Sequence, residues 1–160
     1  MRAAKLVAAA GALLVSHVAF AQTATQTVTF QVDAINQISV SAASVSLDIN
    51  TAVAGSNPTS ATSSGLTWAV TTNQSGAKIT GILNSDMPSG LTLKATLGAP
   101  SGGTSAGVKA LSSTSSDLVT GVSQVAASGL ALTYTLDATP AAGVVTSTSR
   151  TVTYTITGGA

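Results

Sequence analysis

The feature that most constrains this chain is a strict alternation of apolar and hydroxyl residues over positions 151–157, directly after Arg150. Side chains of a β-strand point alternately to its two faces, so a two-residue period separates one set from the other. Val152, Tyr154 and Ile156 are therefore predicted to face a core, while the intervening threonines face water or a neighbour. A chain whose clearest signal has this period is predicted to fold as β-sheet.

The same period recurs upstream, and turn-forming residues separate the alternating stretches. These stretches are predicted strands around residues 25–33, 38–40, 45–49, 66–70, 77–83, 91–97 and 130–136, beside the last run. The four prolines all fall between them, where a missing N–H removes no ladder bond. About eight to ten short strands predict an all-β fold, a single immunoglobulin-like antiparallel β-sandwich over residues 22–160. A short helix over residues 116–127 is the alternative for that segment.

A cleavable signal peptide is predicted to precede this domain. Arg2 and Lys5 form a short positive region, an apolar run follows, and Ala19-Phe20-Ala21 places small residues where a signal peptidase cuts. The apolar run is shorter than the roughly 20 residues that a spanning helix needs. We therefore expect residues 1–21 to be removed, and the mature chain to be exported through the periplasm to the cell surface or the medium.

The mature chain lacks the side chains that most enzyme mechanisms require. His17 is the only histidine and lies in the predicted signal peptide, and the whole chain has no cysteine and no glutamate. Triads with histidine, thiol nucleophiles, zinc sites and glutamate acid–base pairs are thereby excluded. The sequence predicts no enzyme, no catalytic residues, no metal and no cofactor. A calcium ion held by distant aspartates at one end of the sandwich is left open as an alternative.

Charge and aromatic content restrict the classes of molecule that the chain could bind. Beyond residue 21, four Lys and Arg side chains stand against five Asp, which gives a net side-chain charge of −1. Such a chain has neither the basic surface that nucleic acid requires nor the polybasic patch that holds proteins on anionic lipid. Trp68, the only tryptophan, could stack on a sugar, but its phase with Leu66 and Val70 favours a core position.

The most informative stretch for function is the start of the mature chain. Val28, Phe30 and Val32 form a regular apolar row within residues 25–33. This stretch can pair within its own domain as a first strand. Alternatively, it can add as a strand to the next subunit and cover a sheet edge that would otherwise promote aggregation. The sequence leaves both fates open and makes these three residues the candidates for strand exchange.

Two stretches carry a family resemblance. Residues 27–34, followed by Ile38-Ser39-Val40, resemble the start of exported bacterial fimbrial subunits of the chaperone–usher kind that lack disulfides. Gly143 and residues 151–157 resemble the last strand of many secreted bacterial sandwich domains. The resemblance implies that the N-terminal segment donates a strand, that subunits polymerise, and that a periplasmic chaperone is a partner.

Together these observations predict a non-enzymatic structural or adhesive subunit of the bacterial surface that self-associates into a filament or matrix. The alternative is a monomeric extracellular binding module for a polysaccharide or a surface protein. Neither function involves nucleic acid or a membrane in the mature form.

Overall fold

The computed structural model describes residues 21–159, and its strands form two antiparallel sheets. The strands are β1 (Asn36–Val40), β2 (Ala61–Thr62), β3 (Leu66–Thr72), β4 (Ala77–Leu83), β5 (Leu91–Leu97), β6 (Thr104–Ser105), β7 (Lys109–Ala110), β8 (Ser116–Val122), β9 (Val125–Ala138) and β10 (Val152–Thr157). Within these residues there is no α-helix, and the only helical element is a 3-10 turn at Pro140–Ala142. The predicted all-β class is confirmed.

The two sheets share one apolar core. One sheet has the order β1-β3-β9-β5-β7, with β2 also paired to β9, and the other has the order β10-β4-β8-β6. Both contribute to the core, whose largest fully buried side chains are Trp68, Val70, Ile79, Leu83, Leu97, Leu118, Val119 and Val122. Alternating burial along β4 and β5 reflects the side-chain period of a sheet with one face inside. The arrangement is a β-sandwich.

β9 is longer than the sequence indicated. The predicted strand began at Gly129, but pairing extends back to Val125, because Gly129 lies in a bulge rather than at a loop. Between the pairs Trp68–Leu130 and Val70–Ala127, β3 has one residue and β9 has two, Ser128 and Gly129. Gly129 has φ +66°, a conformation that glycine adopts without a Cβ penalty and that bulges of this kind require. The bulge lets one strand pair with β3, β2 and β5.

The alternative of a short helix and one further predicted strand were both wrong. Residues 116–127 form no helix, because β8 pairs with β4 there and buries Leu118 and Val119 against the core. Residues 45–49 form no strand, although Leu47 still packs partly against the core. The alternation therefore indicated which side chain turns inward at Leu47, but not whether its backbone would find a neighbouring strand.

The start of the first strand and the end of the last strand lie beside the same turn, the one that joins β3 to β4. β1 starts opposite the end of β3, at Asn36 and Thr72, and β10 ends opposite the start of β4. Residues 73–76 join β3 to β4, so the chain enters and leaves the sandwich beside this turn. By internal contacts, residues 33–159 belong to one compact unit and residues 21–32 to another.

The predicted signal peptide lies outside the described residues, except for Ala21. Among residues 21–159, no helix is long and apolar enough to cross a membrane.

Candidate strand-docking site

The three strand-exchange candidates are strongly exposed. Val28, Phe30 and Val32 are 72%, 89% and 76% exposed, and every residue from 21 to 35 falls in the exposed class. No strand is assigned between residues 21 and 35, although their alternation is as regular as that of β10. We call residues 22–32 the arm. It presents an apolar row on a segment that is not part of either sheet.

The register of β1 explains why the sheet stops before the arm. Asn36 pairs with Thr72, the last residue of β3, and Ile35 would come opposite Asn73. The chain then turns at residues 74–76 towards β4. β3 thus has no backbone left with which residues before Ile35 could continue the ladder.

Within residues 21–159, β10 is an edge strand whose other side has no paired strand. Among the described residues it pairs only with β4, from Val152 opposite Leu83 to Thr157 opposite Lys78. Its apolar residues are partly buried and its threonines exposed, as the alternation predicted. The unpaired backbone N–H and C=O groups along its other side are a template for a further strand.

Contacts at both ends hold this edge strand in place. At its start, the Thr151 N–H donates to the Asn84 side-chain carbonyl at 3.0 Å, and the Asn84 N–H donates to the Thr151 carbonyl at 3.0 Å. After its end, Gly158 lies against the Gln74 side chain, and Gly159 lies so close to the Ser75 carbonyl that this position has no room for a Cβ. β10 is therefore positioned before any strand is added to it.

A cavity of about 380 Å³ opens beside β10, between the edges of the two sheets. Its lining comes from segments 40–47 and 149–154 and from the core side chains Leu66, Leu93 and Leu132. β1 and β10, the edge strands on this side of the sandwich, are in contact with each other. The cavity has the size and apolar lining of a ligand pocket, and a sheet edge borders it.

The two tyrosines of the chain meet in the lining of this cavity. Tyr134 on β9 and Tyr154 on β10 bring their hydroxyls to 2.7 Å, which links the two sheets by a hydrogen bond. Burial raises the pKa of both side chains above the ordinary tyrosine value, so both stay protonated in the physiological range. The pair adds a hydrogen bond that joins the two sides of a mainly apolar cavity, whose lining also includes Ser41, Ser44 and Arg150.

Arg150 lies at the border of the cavity and is held by backbone carbonyls. Its Nε donates to the Asp86 carbonyl at 3.0 Å and its Nη1 to the Ser149 carbonyl at 2.9 Å. Asp86 in turn accepts the Ser113 N–H at 2.6 Å, and that bond lowers the pKa of its carboxyl. These bonds fix the loop that leads into β10.

A larger hollow, of about 420 Å³, lies at the opposite end of the sheet, at the start of β1, the end of β3 and the start of β9. Ile35, Asn73 and Val125 are among its lining residues. None of its lining residues belongs to β10, so we regard the cavity beside β10 as the candidate site.

The remaining residues weighed in the sequence have structural positions. Trp68 is 1% exposed and donates from Nε1 to the Gly98 carbonyl at 3.1 Å, so it has no face for a sugar. Two aspartates form ion pairs with lysines, Asp117 with Lys78 and Asp137 with Lys94. Within residues 21–159, no three His, Cys, Asp or Glu side chains come together as a metal site.

Comparison with protein-family models, with curated proteins and with solved structures found no match for this chain. The candidate site therefore depends on the geometry described above.

Sequence reasoning missed three elements of this site. The inward phase of Tyr134 and Tyr154 was visible, but nothing in the sequence showed that their hydroxyls would meet. The contacts of Asn84 and of the Gly158-Gly159 pair join segments that are far apart in sequence and that only the fold brings together. A pair of glycines directly after a regular strand was a usable signal, because glycine often marks a close approach of backbones.

Proposed function

We propose that this chain is a non-enzymatic structural subunit of the bacterial surface, exported after removal of residues 1–21, whose subunits join by strand addition. The arm of one subunit adds to the free side of β10 in the next subunit, and its apolar row enters the cavity there. The observation that carries the proposal is the pairing, in one chain, of an exposed alternating apolar segment with an open edge beside an apolar cavity.

The two partners match in period. Neighbouring members of the row Val28, Phe30 and Val32 would lie about 6.8 Å apart in an extended strand. β10 turns Val152, Tyr154 and Ile156 inward with the same spacing. An added strand that pairs with β10 thus places all of its apolar side chains on the core face. A shift of the register by one residue would turn these apolar side chains towards water. The alternation therefore determines which face of the added strand meets the core.

The composition of β10 also supports assembly. Monomeric sheet proteins commonly protect an edge with a lysine, a proline or a bulge, which discourage pairing with another chain. Residues 152–157 contain no charge and no proline, and their pairing with β4 is regular throughout. An edge of this composition is suited to receive another strand.

Addition to another subunit is favoured over pairing within the same sheet. β3 ends at Thr72, so the arm cannot extend β1 along it. The energetic gain of burying apolar side chains is available in a second copy, where Phe30 alone would contribute about 2–3 kcal/mol. An immunoglobulin-like sandwich completed by a strand from a neighbour is the architecture that this proposal implies, with a periplasmic chaperone as a partner before assembly.

The test uses purified mature protein, residues 22–160, incubated at increasing concentration. We expect ladders of multimers on unheated SDS gels and filaments or aggregates of regular width by electron microscopy. Deletion of residues 22–32 should abolish them. Phe30→Ala should weaken arm binding by about 30- to 150-fold, the equivalent of 2–3 kcal/mol.

The matched control compares two valines of similar exposure, 72% at Val28 and 70% at Val53. Val28→Ala should weaken assembly, whereas Val53→Ala, in a loop, should leave it unchanged. Equal effects of the two would count against the arm. A wild-type protein that stays monomeric at high concentration and melts cooperatively would favour the monomeric binding module instead.

A further inference from the structure

The junction between the arm and the sandwich is closed by one side chain. Asn73 accepts the Ile35 N–H on Oδ1 at 2.8 Å, and its Nδ2 donates to the Asp33 carbonyl at 2.7 Å. Its own N–H donates to the Ile35 carbonyl at 3.3 Å. Three hydrogen bonds thus connect one residue of the β3–β4 turn to the two residues that flank Ala34.

These bonds take the place of the backbone pairing that β3 cannot provide beyond Thr72. The side-chain amide of asparagine carries a donor nitrogen and an acceptor oxygen, as a peptide group does. Here it pairs with one backbone N–H and one backbone C=O of the preceding segment, as a residue of a neighbouring strand would. In turns, asparagine more often bonds its own backbone two residues further on, whereas Asn73 reaches residues 38 and 40 positions away in sequence.

A second set of bonds supports the first. Thr72, the one buried polar residue of the described core, donates from its hydroxyl to the Asn36 side-chain carbonyl at 2.7 Å and accepts the Gln74 N–H at 3.1 Å. The Asn36 side-chain nitrogen donates to the Gln74 side-chain carbonyl at 3.1 Å. The residues on both sides of Asn73 are thereby fixed, so its side chain is held in position to reach the junction.

We infer that Asn73 is a positioning residue for strand addition: its side chain ends the sandwich at Asp33 and so fixes the point from which the arm extends. This inference rests on the proposed function, because it assigns a role to a residue that does not touch the added strand. A fixed starting point reduces the conformations that the arm must lose on docking, and so favours the rate of association. Once the arm is docked, its contacts with the next subunit do not involve Asn73.

The hydrogen bonds of the Asn73 side chain also bear on whether this residue could carry a glycan. Asn73-Gln74-Ser75 matches the acceptor sequence for N-glycosylation. The nitrogen that would carry a sugar is the one that donates to the Asp33 carbonyl, so a glycan there would disturb the junction. The side chain is used for structure.

The experiment compares Asn73→Ala with Asn57→Ala in mature protein. Asn57 is an exposed loop residue, so the second variant removes the same atoms without disturbing the junction. Two quantities are measured on the monomer: hydrogen exchange of the Ile35 amide, and the position at which a protease of broad specificity trims the N-terminal segment. Two more are measured on assembly: the initial rate of multimer formation, and the temperature at which preformed multimers dissociate in SDS.

For Asn73→Ala we expect faster exchange of the Ile35 amide, by about fivefold or more for the loss of one hydrogen bond. Trimming should extend past Asp33, and assembly should slow several-fold. Preformed multimers should dissociate at the wild-type temperature. Asn73→Asp retains an acceptor for Ile35 but loses the donor to Asp33, and should be intermediate. Asn57→Ala should behave as wild type in all four measurements.

Two results would overturn the inference. Unchanged Ile35 exchange and assembly rate in Asn73→Ala would show that the junction does not depend on this side chain. A loss of multimer stability as large as the loss of assembly rate would show a merely structural role. If wild-type protein assembles equally well without residues 22–32, the proposed function fails and the positioning role with it. The Ile35 amide would then still show whether Asn73 ends the sandwich.

Discussion

The hydrogen bond between Tyr134 and Tyr154 provides the sharpest test of the candidate site. The two hydroxyl oxygens lie 2.7 Å apart, and the bond links β9 of one sheet to β10 of the other. Replacing either residue by phenylalanine removes one hydroxyl and keeps the ring. The three variants Tyr134→Phe, Tyr154→Phe and the double replacement form a double-mutant cycle.

The expected magnitudes follow from what each variant leaves behind. A single replacement removes a hydrogen bond worth about 1 kcal/mol and leaves the other hydroxyl without its partner in a partly buried site, which adds to the cost. We therefore expect each single variant to lower the free energy of unfolding by about 1–2 kcal/mol. The double variant leaves no hydroxyl unpaired, so it should lose less than the sum of the two. The coupling energy should be about 1 kcal/mol.

Trp68 makes this measurement direct. It is the only tryptophan and is 1% exposed, so its fluorescence reports unfolding of the core. Urea unfolding at a concentration at which size exclusion shows monomer gives the free energy of each variant, with a common m-value as the check on two-state behaviour. Additive losses, with a coupling energy near zero, would refute the claim that the hydroxyl pair joins the sheets.

Two further predictions concern stability. Gly159→Ala places a Cβ against the Ser75 carbonyl, and relieving that overlap should cost about 1–3 kcal/mol and speed amide exchange at the end of β10, measured by urea unfolding and hydrogen exchange. The hydrogen bonds that Asp137 accepts from Lys94 and Ser60 lower its pKa from 3.8; its ionised form therefore stabilises the fold above about pH 4, and that contribution is lost as the pH falls through the lowered value. The melting temperature of Asp137→Asn should thus depend less on pH below 4 than that of wild type.

The fold was predictable where burial decides it. Alternation identified the inward phase of Trp68 and of β10, because a sheet with one face in a core imposes that period on any sequence. Gly65 and Gly90 lie where loops enter strands, and both have positive φ. Gly129 has the same sequence context and the same φ sign, yet lies in a bulge. The local sequence specified the positive φ of Gly129. Only the pairing with β3 determined that this residue forms a bulge and not a loop.

The candidate site was predictable only in part, for a related reason. The arm and β10 have equally regular alternation, but one is in a ladder and the other is not. What separates them is where β3 ends, and that depends on the register of β1 against β3. Register arises from long-range pairing that a single-sequence pattern does not contain. The pattern therefore predicts which side chains would fit a groove, while only the tertiary fold places a cavity beside β10.

The positions of the arm junction and the cavity determine what kind of assembly strand addition would produce. The junction lies beside the turn at residues 73–76, where β1 begins and β10 ends. The cavity is lined by Val40, at the end of β1, and Val152, at the start of β10, and so lies towards the opposite end of the sandwich. An arm that leaves one end of a subunit and enters the other end of the next makes a head-to-tail contact, which propagates as an open chain unless the subunits curve into a ring. Reciprocal exchange, which would stop at a dimer, requires both features at one end. We therefore expect ladders that continue through trimer, tetramer and beyond, with the largest species growing with concentration. Mass photometry of assembling protein that showed a dimer as the final product would contradict this polarity.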